Sequence, residues 1–137
     1  MRGTVLALIT AVGLAGPAFT QGSAEGEAIR DVIRQQMDAF DARDMPGAFA
    51  FASPDLQQMF GSPERFGQMV EEGYPMVWDH GRVTFGDLAD DDGRLWQRVY
   101  TRDAAGQEHA LDYLMEQVDG AWRIAAVRPA PLPDMAV

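Results

Sequence analysis

The sequence predicts an α+β domain: N-terminal helices packed on a curved, four-stranded antiparallel meander. Three observations carry that reading. Apolar residues recur at three- and four-residue spacing up to Tyr74-Pro75, and at two-residue spacing beyond it. The segments of two-residue period are joined only by short turns, so neighbours in sequence run antiparallel. One pairing register then satisfies both faces of the sheet at once.

The helices follow in order. Ile29, Val32, Ile33, Gln36, Met37 and Phe40 share one stripe, with Arg30, Arg34, Asp38 and Asp41 off it, which predicts a helix over 23–43. Asp44 is a suitable N-cap for a short second helix to about Ala52, with Pro46 tolerated in its first turn. Ser53-Pro54-Asp55 and Ser62-Pro63-Glu64 repeat one layout: a hydroxyl at N-cap, a proline without a donor at N1, an acid near the positive helix end. They predict helices over 54–60, closed by Gly61, and 63–72, closed by Gly73. The two serines are therefore read as caps rather than nucleophiles.

The strands are predicted at 82–88, 94–102, 107–118 and 121–127, linked by 89–93, 103–106 and Asp119-Gly120, an Asp-Gly hairpin signal. That turn pairs Val118 with Ala121, and hence Met115 with Ile124 and Glu116 with Arg123. If Arg102 meets Glu108, then Arg98 meets Asp112 and Arg94 meets Glu116, a ladder of opposite charges on one face. The same register sets Val99 against Leu111 and Leu95 against Met115 on the other. The inward face is then Val83, Phe85, Leu95, Val99, Leu111, Tyr113, Met115, Trp122, Ile124 and Ala126, covered by the helices. The outward face adds Trp96, Tyr100, Leu114 and Val127 to the ladder, a mixed surface that suits either solvent or a homodimer interface through Trp96, Tyr100 and Leu114. Pro129, Pro131 and Pro133 predict a loose tail over 129–137.

The first twenty residues read as a separate object. Arg2 precedes an apolar run from Val5 to Gly16, and Ala18 and Thr20 sit at the −3 and −1 positions of a cleavage after Thr20. This is the layout of a secretory signal peptide, which predicts a periplasmic or secreted protein. The run is shorter than the ~18–20 apolar residues that span a bilayer, so no stable membrane insertion is expected after its removal. Residues 21–128 then form a single domain. The chain has no Cys, Lys or Asn, which excludes thiolate and Schiff-base chemistry and leaves the core to hold the fold without disulfides. Its formal charge of −10 disfavours nucleic acid and anionic lipid as partners.

N-terminal helices followed by a curved meander resemble the cone-shaped NTF2-like (cystatin-like) fold. More closely, the segment AFAFASPDLQQMFGSPERFGQMVEEGYPMVW (48–78) resembles the DUF4864 family, small and often exported bacterial proteins of unknown function. The matching parts are Ala52-Ser53-Pro54, Phe60-Gly61-Ser62-Pro63-Glu64-Arg65-Phe66, Met69-Val70, Tyr74-Pro75 and Gly120-Ala121-Trp122-Arg123-Ile124. The resemblance covers about 29–128. It implies a fold and no reaction, because no catalytic residue of the family is available to carry over.

A cone of this type can enclose a pocket. In isomerases of the wider superfamily that pocket carries a carboxylate base facing an acidic donor. The inward polar residues of the register are Asp87, Gln97, Thr101, His109 and Tyr113, with Gln97 opposite Tyr113. Tyr113 is the best-placed donor, but no carboxylate lies beside it, so Asp87 and His109 are its candidate partners. His80 and His109 lack a second histidine at helical spacing or a carboxylate set, and Asp90-Asp91-Asp92-Gly93 lacks the spacing of a calcium loop; no metal and no cofactor are expected. Tyr74, Met76 and Trp78 alternate where the chain leaves the last helix, and with Met59, Gln97 and Tyr113 they form a candidate pocket mouth. The expected function is a non-catalytic module binding an apolar small molecule or a protein partner. The alternatives are a small isomerase or hydrolase and a structural homodimer.

Overall fold

Helix α1 (Ala18–Asp41) buries the stripe read from its sequence: Ile29, Ile33, Met37 and Phe40 all lie in the core. The structure is a computed structural model and describes residues 18–133, with side chains from residue 24. The expected signal segment, 1–20, lies outside the described residues except for the backbone of 18–20.

Capping sets the next three helices. Asp44 accepts from the Gly47 N–H at 3.0 Å and opens α2 (Met45–Ala50), shorter than the predicted span. Ser53 and Ser62 accept from the N–H groups of Leu56 and Arg65, each at 3.2 Å, and open α3 (Pro54–Phe60) and α4 (Pro63–Gly73). Gly61 closes α3 in the left-handed region at φ 81°, where a Cβ is disfavoured. Gly73 does not close α4; it is the last helical residue, and Tyr74 is the cap, donating its N–H to Val70 O at 2.9 Å.

Extended alternation was expected after Tyr74, but the chain makes a further helical turn, α5 (Pro75–Trp78), in which Val77 and Trp78 donate back to Tyr74 O at 2.8 and 3.0 Å. Pro75 occupies a first-turn position, where its missing N–H costs no hydrogen bond. Three residues of period two are too few to distinguish a strand from one helical turn.

The sheet has the order β1-β2-β3-β4: β1 (Val83–Asp91), β2 (Arg94–Arg102), β3 (Glu108–Val118) and β4 (Ala121–Ala130). All pairs are antiparallel. The β2–β3 register runs as read, from Leu95↔Met115 through Gln97↔Tyr113, Arg98↔Asp112 and Val99↔Leu111 to Arg102↔Glu108. Two rungs of the ladder carry ion pairs, Arg98–Asp112 at 2.6 Å and Arg102–Glu108 at 3.4 Å. The Arg94 rung carries none among the described residues; instead Arg128 approaches Asp112 at 3.8 Å. Asp92-Gly93 and Asp119-Gly120 make the tight turns, with both residues of each pair at positive φ, the geometry of a type I′ hairpin. β1 therefore extends to Asp91, past the predicted end at Leu88.

Two bulges alter the predicted faces. In β1, Phe85 pairs with Val99 but Leu88 pairs with Gln97, so Gly86 and Asp87 together oppose Arg98. Leu88 takes the inward place expected for Asp87, and Asp87 is exposed. In β4, Met115 pairs with Ile124 but Leu114 with Ala126, so Ala125 is the extra residue. Val127 consequently pairs with inward Tyr113, the reverse of its expected assignment, while Ala126, opposite Leu114, still borders the space under the helices. β4 also continues past Val127, with Pro129 opposite Leu111 and Ala130 opposite Ala110, so the tail is strand to Ala130. Pro131–Pro133 are exposed coil, and the rest of the tail lies outside the described residues.

The free edge of β4 is partly covered. Ser53 donates its N–H to Ile124 O, and Ile124 donates to Phe51 O, each at 2.8 Å. This short parallel bridge joins the α2–α3 connection to the sheet. Opposite it, Phe66 sits among Phe40, Phe49 and Phe60, with ring centroids 5.6–5.8 Å away. No helix among the described residues is long and apolar enough to cross a membrane.

Candidate functional site

The helices do not fill the space over β3 and β4. A cavity of about 290 Å³ remains between them. Gln36 and Phe40 reach it from α1, Leu56, Met59 and Phe60 from α3, and Phe66, Met69 and Val70 from α4. Tyr74 and Val77 close one side, and Tyr113, Ile124 and Val127 supply the sheet wall. The Ser-Pro capping of α3 and α4 is what sets these helices over the sheet, so the two sequence signals for helix starts also build the cavity roof.

The walls are apolar except for three groups. Gln36 is 3 % exposed and donates Nε2 to Ala48 O at 3.2 Å. Tyr74 donates its hydroxyl to Val127 O at 3.0 Å, tying the α4–α5 junction to β4. Tyr113 is 1 % exposed, and burial, with a smaller contribution from Tyr74, pushes its phenol well above the ordinary tyrosine range. It is a hydrogen-bond donor that stays neutral at physiological pH. No Arg, His, Asp or Glu among the described residues lines the cavity. Met59, 67 % exposed, stands at the rim.

Of the residues read from the sequence as a mouth, Tyr74, Met59 and Tyr113 line the cavity. Met76, Trp78 and Gln97 do not. The α5 turn sends Trp78 to the other side, against Phe40 (centroids 6.1 Å apart) and under the Arg43 guanidinium, 4.0 Å from its ring centre. Arg43 also donates to Trp78 O at 3.0 Å and pairs with Asp79 at 2.8 Å, so this aromatic is held in a surface clasp. His80 continues that clasp, with Nε2 3.0 Å from an Asp41 oxygen and Nδ1 3.0 Å from Gly81 O. Gln97 is buried within the sheet and donates to the bulged Gly86 carbonyl at 2.9 Å.

The candidate acid–base partners of Tyr113 are elsewhere. Asp87 is turned out by the β1 bulge. His109 bonds Asp103 at 2.8 Å in the β2–β3 turn. Asp103 also accepts from the N–H groups of Ala105 and Gln107, each at 2.9 Å, so this pair organises a turn. On the outer face, Arg128 stacks 3.8 Å over the Trp96 ring, while Tyr100 lies across Gly86. The proposed interface residues Trp96, Tyr100 and Leu114 are all half-buried. Among the described residues no group of three His, Asp or Glu side chains is placed to hold a metal ion.

Gln36 is the polar cavity residue absent from the sequence-based site, as are apolar lining residues such as Leu56 and Val70. For Gln36 the signal is there: a glutamine among Ile33, Met37 and Phe40 on a buried face needs a polar reason.

These features define an α+β protein whose helices and antiparallel sheet enclose an apolar cavity with a few convergent polar groups. The chain belongs to the family described as Domain of unknown function (DUF4864), whose family model matches residues 22–137. No curated protein matches it, and no solved structure matches it.

Proposed function

We propose that this protein is an exported, non-catalytic module of NTF2-like architecture whose cavity holds an apolar small molecule. The observation that carries this reading is the cavity itself, about 290 Å³ with almost wholly apolar walls. A void of about 150 Å³ suffices for benzene, so this one suits a ligand of roughly a dozen non-hydrogen atoms. A non-catalytic role is favoured by the placement of Asp87 and His109, neither of which lines the cavity with Tyr113. Export is supported by the signal-like start of the chain.

Native mass spectrometry of protein purified gently from its source should show a co-purified small molecule. Leu56→Trp, which fills the cavity from α3, should release that molecule while circular dichroism stays unchanged. A mass unaltered by Leu56→Trp would place the ligand elsewhere, and a chain that carries nothing and binds no apolar probe would overturn the reading.

A further inference from the structure

The polar groups of the cavity restrict the chemistry of its occupant beyond size. Gln36 has two polar atoms. Because Ala48 O is an acceptor, the amide nitrogen must face it, and the 3.2 Å bond takes one of its two N–H groups. Oε1 is the acceptor of a residue that is 3 % exposed and lines the cavity. Tyr113, on the sheet wall of the same cavity, offers the opposite character, a phenolic O–H donor. Tyr74 cannot compete as a donor, since its hydroxyl proton is given to Val127 O.

The occupant therefore meets Gln36 Oε1 as an acceptor, the Tyr113 hydroxyl as a donor, and no charge among the described residues. A carboxylate or phosphate can accept from Tyr113 but has no proton for Gln36 Oε1, and no cation among the described residues lines the cavity to compensate its burial. An ammonium can donate to Gln36 Oε1 but cannot accept from Tyr113, and no carboxylate among the described residues lines the cavity either. A pure hydrocarbon fills the walls but leaves both polar atoms without water or partner. An uncharged hydroxyl satisfies both, donating its proton to Oε1 and accepting the phenolic hydrogen on its oxygen.

We propose that the cavity selects a neutral alcohol or phenol: an apolar body of about a dozen atoms whose hydroxyl sits between Gln36 and Tyr113, with its far end toward Met59 at the rim. The proposal rests on the reading of the cavity as a ligand site and adds the class of head group.

The test compares probes of one apolar body on the purified protein at pH 7: naphthalene, 1-naphthol, 1-naphthoate and 1-naphthylmethylamine, by intrinsic probe fluorescence. The expected order sets 1-naphthol about three- to tenfold tighter than naphthalene, and both ions at least about tenfold weaker than 1-naphthol. Tyr113→Phe should bring the ratio of 1-naphthol to naphthalene affinity close to one. Gln36→Met should reduce the same ratio, and serves if the first variant does not fold. A ratio near one in the unaltered protein, an ion that binds as well as 1-naphthol, or a preference that survives both substitutions would overturn the head-group assignment while leaving the cavity a ligand site. Failure of all four probes would overturn both readings together.

Discussion

The side chain of Gln97 seals the β1 bulge at Gly86, its Nε2 donating to Gly86 O at 2.9 Å from a position wholly removed from solvent. A bulge leaves a backbone carbonyl out of the ladder, and a buried carbonyl without a partner is costly. Gln97 answers that need from the neighbouring strand, and also donates to Arg98 O at 2.9 Å. Gln97→Leu keeps the volume and removes the donor. It should lower stability by about 1–3 kcal/mol in urea unfolding. Probe binding should be unchanged, because Gln97 does not line the cavity. A variant as stable as the parent would show that the bulge needs no sealing.

The two ion pairs of the outer ladder differ in environment, and their energies should differ accordingly. Arg98 meets Asp112 through two bonds, 2.6 and 3.3 Å, with side chains 29 % and 13 % exposed. Arg102 and Glu108 meet at 3.4 Å with side chains 50 % and 60 % exposed. A double-mutant cycle on the first pair should give a coupling of about 1.5–3 kcal/mol, as for hydrogen bonds to charged groups. The same cycle on the second should give no more than about 1 kcal/mol, and less in salt. Equal couplings would mean that the ladder acts through register alone.

The outer ladder was legible because a sheet register is a discrete choice. Once Asp119-Gly120 and Arg102–Glu108 are set, the facing residues between them follow without energetic detail. The bulges reverse that choice, because an inserted residue changes parity from that point on. Gly86 carried a signal for the first, since a glycine inside a strand marks a bulge or a close approach, whereas Ala125 carries none for the second. That reversal misplaced Asp87 and Val127. The α5 turn misplaced Trp78, where a single proline had to decide between strand and helix. The helix caps were readable because each is local chemistry within four residues. The cavity was not, since a void is what packing leaves over, and no periodicity records it.

Tyr74 and Val127 tie the closed side of the cavity together. The hydroxyl of Tyr74 donates to Val127 O at 3.0 Å and joins the end of α4 to β4. Tyr74→Phe keeps the ring and removes this tie. It should lower stability by about 0.5–1.5 kcal/mol, the net worth of one partly buried hydrogen bond. It should also raise the amide exchange rates of the α4–α5 junction relative to those of β2 and β3. Uniform exchange across the chain would mean that the tie reports global stability and does not hold this side of the cavity.

Asp103 should make the β2–β3 turn sensitive to acid. Its carboxylate is held below the ordinary value of 3.8, first by the hydrogen bond from His109 and then by the N–H groups of Gln107 and Ala105. A carboxyl whose folded pKa lies below its unfolded one stabilises the folded turn above the unfolded value. That contribution is lost as pH falls through the folded pKa, so the turn is intact at neutral pH and loosens only below 3.8. In an NMR titration, the Asp103 carboxyl carbon and the amides of Ala105 and Gln107 should move together with a midpoint under 3.8. Asp103→Asn should abolish that shared transition. The two oxygens of Asp103 divide their partners, one serving the turn amides and the other His109. His109→Ala should therefore raise the midpoint while leaving it coupled to both amides. A midpoint at or above 3.8 in the unaltered protein would remove His109 and the turn amides as the groups that hold this carboxylate.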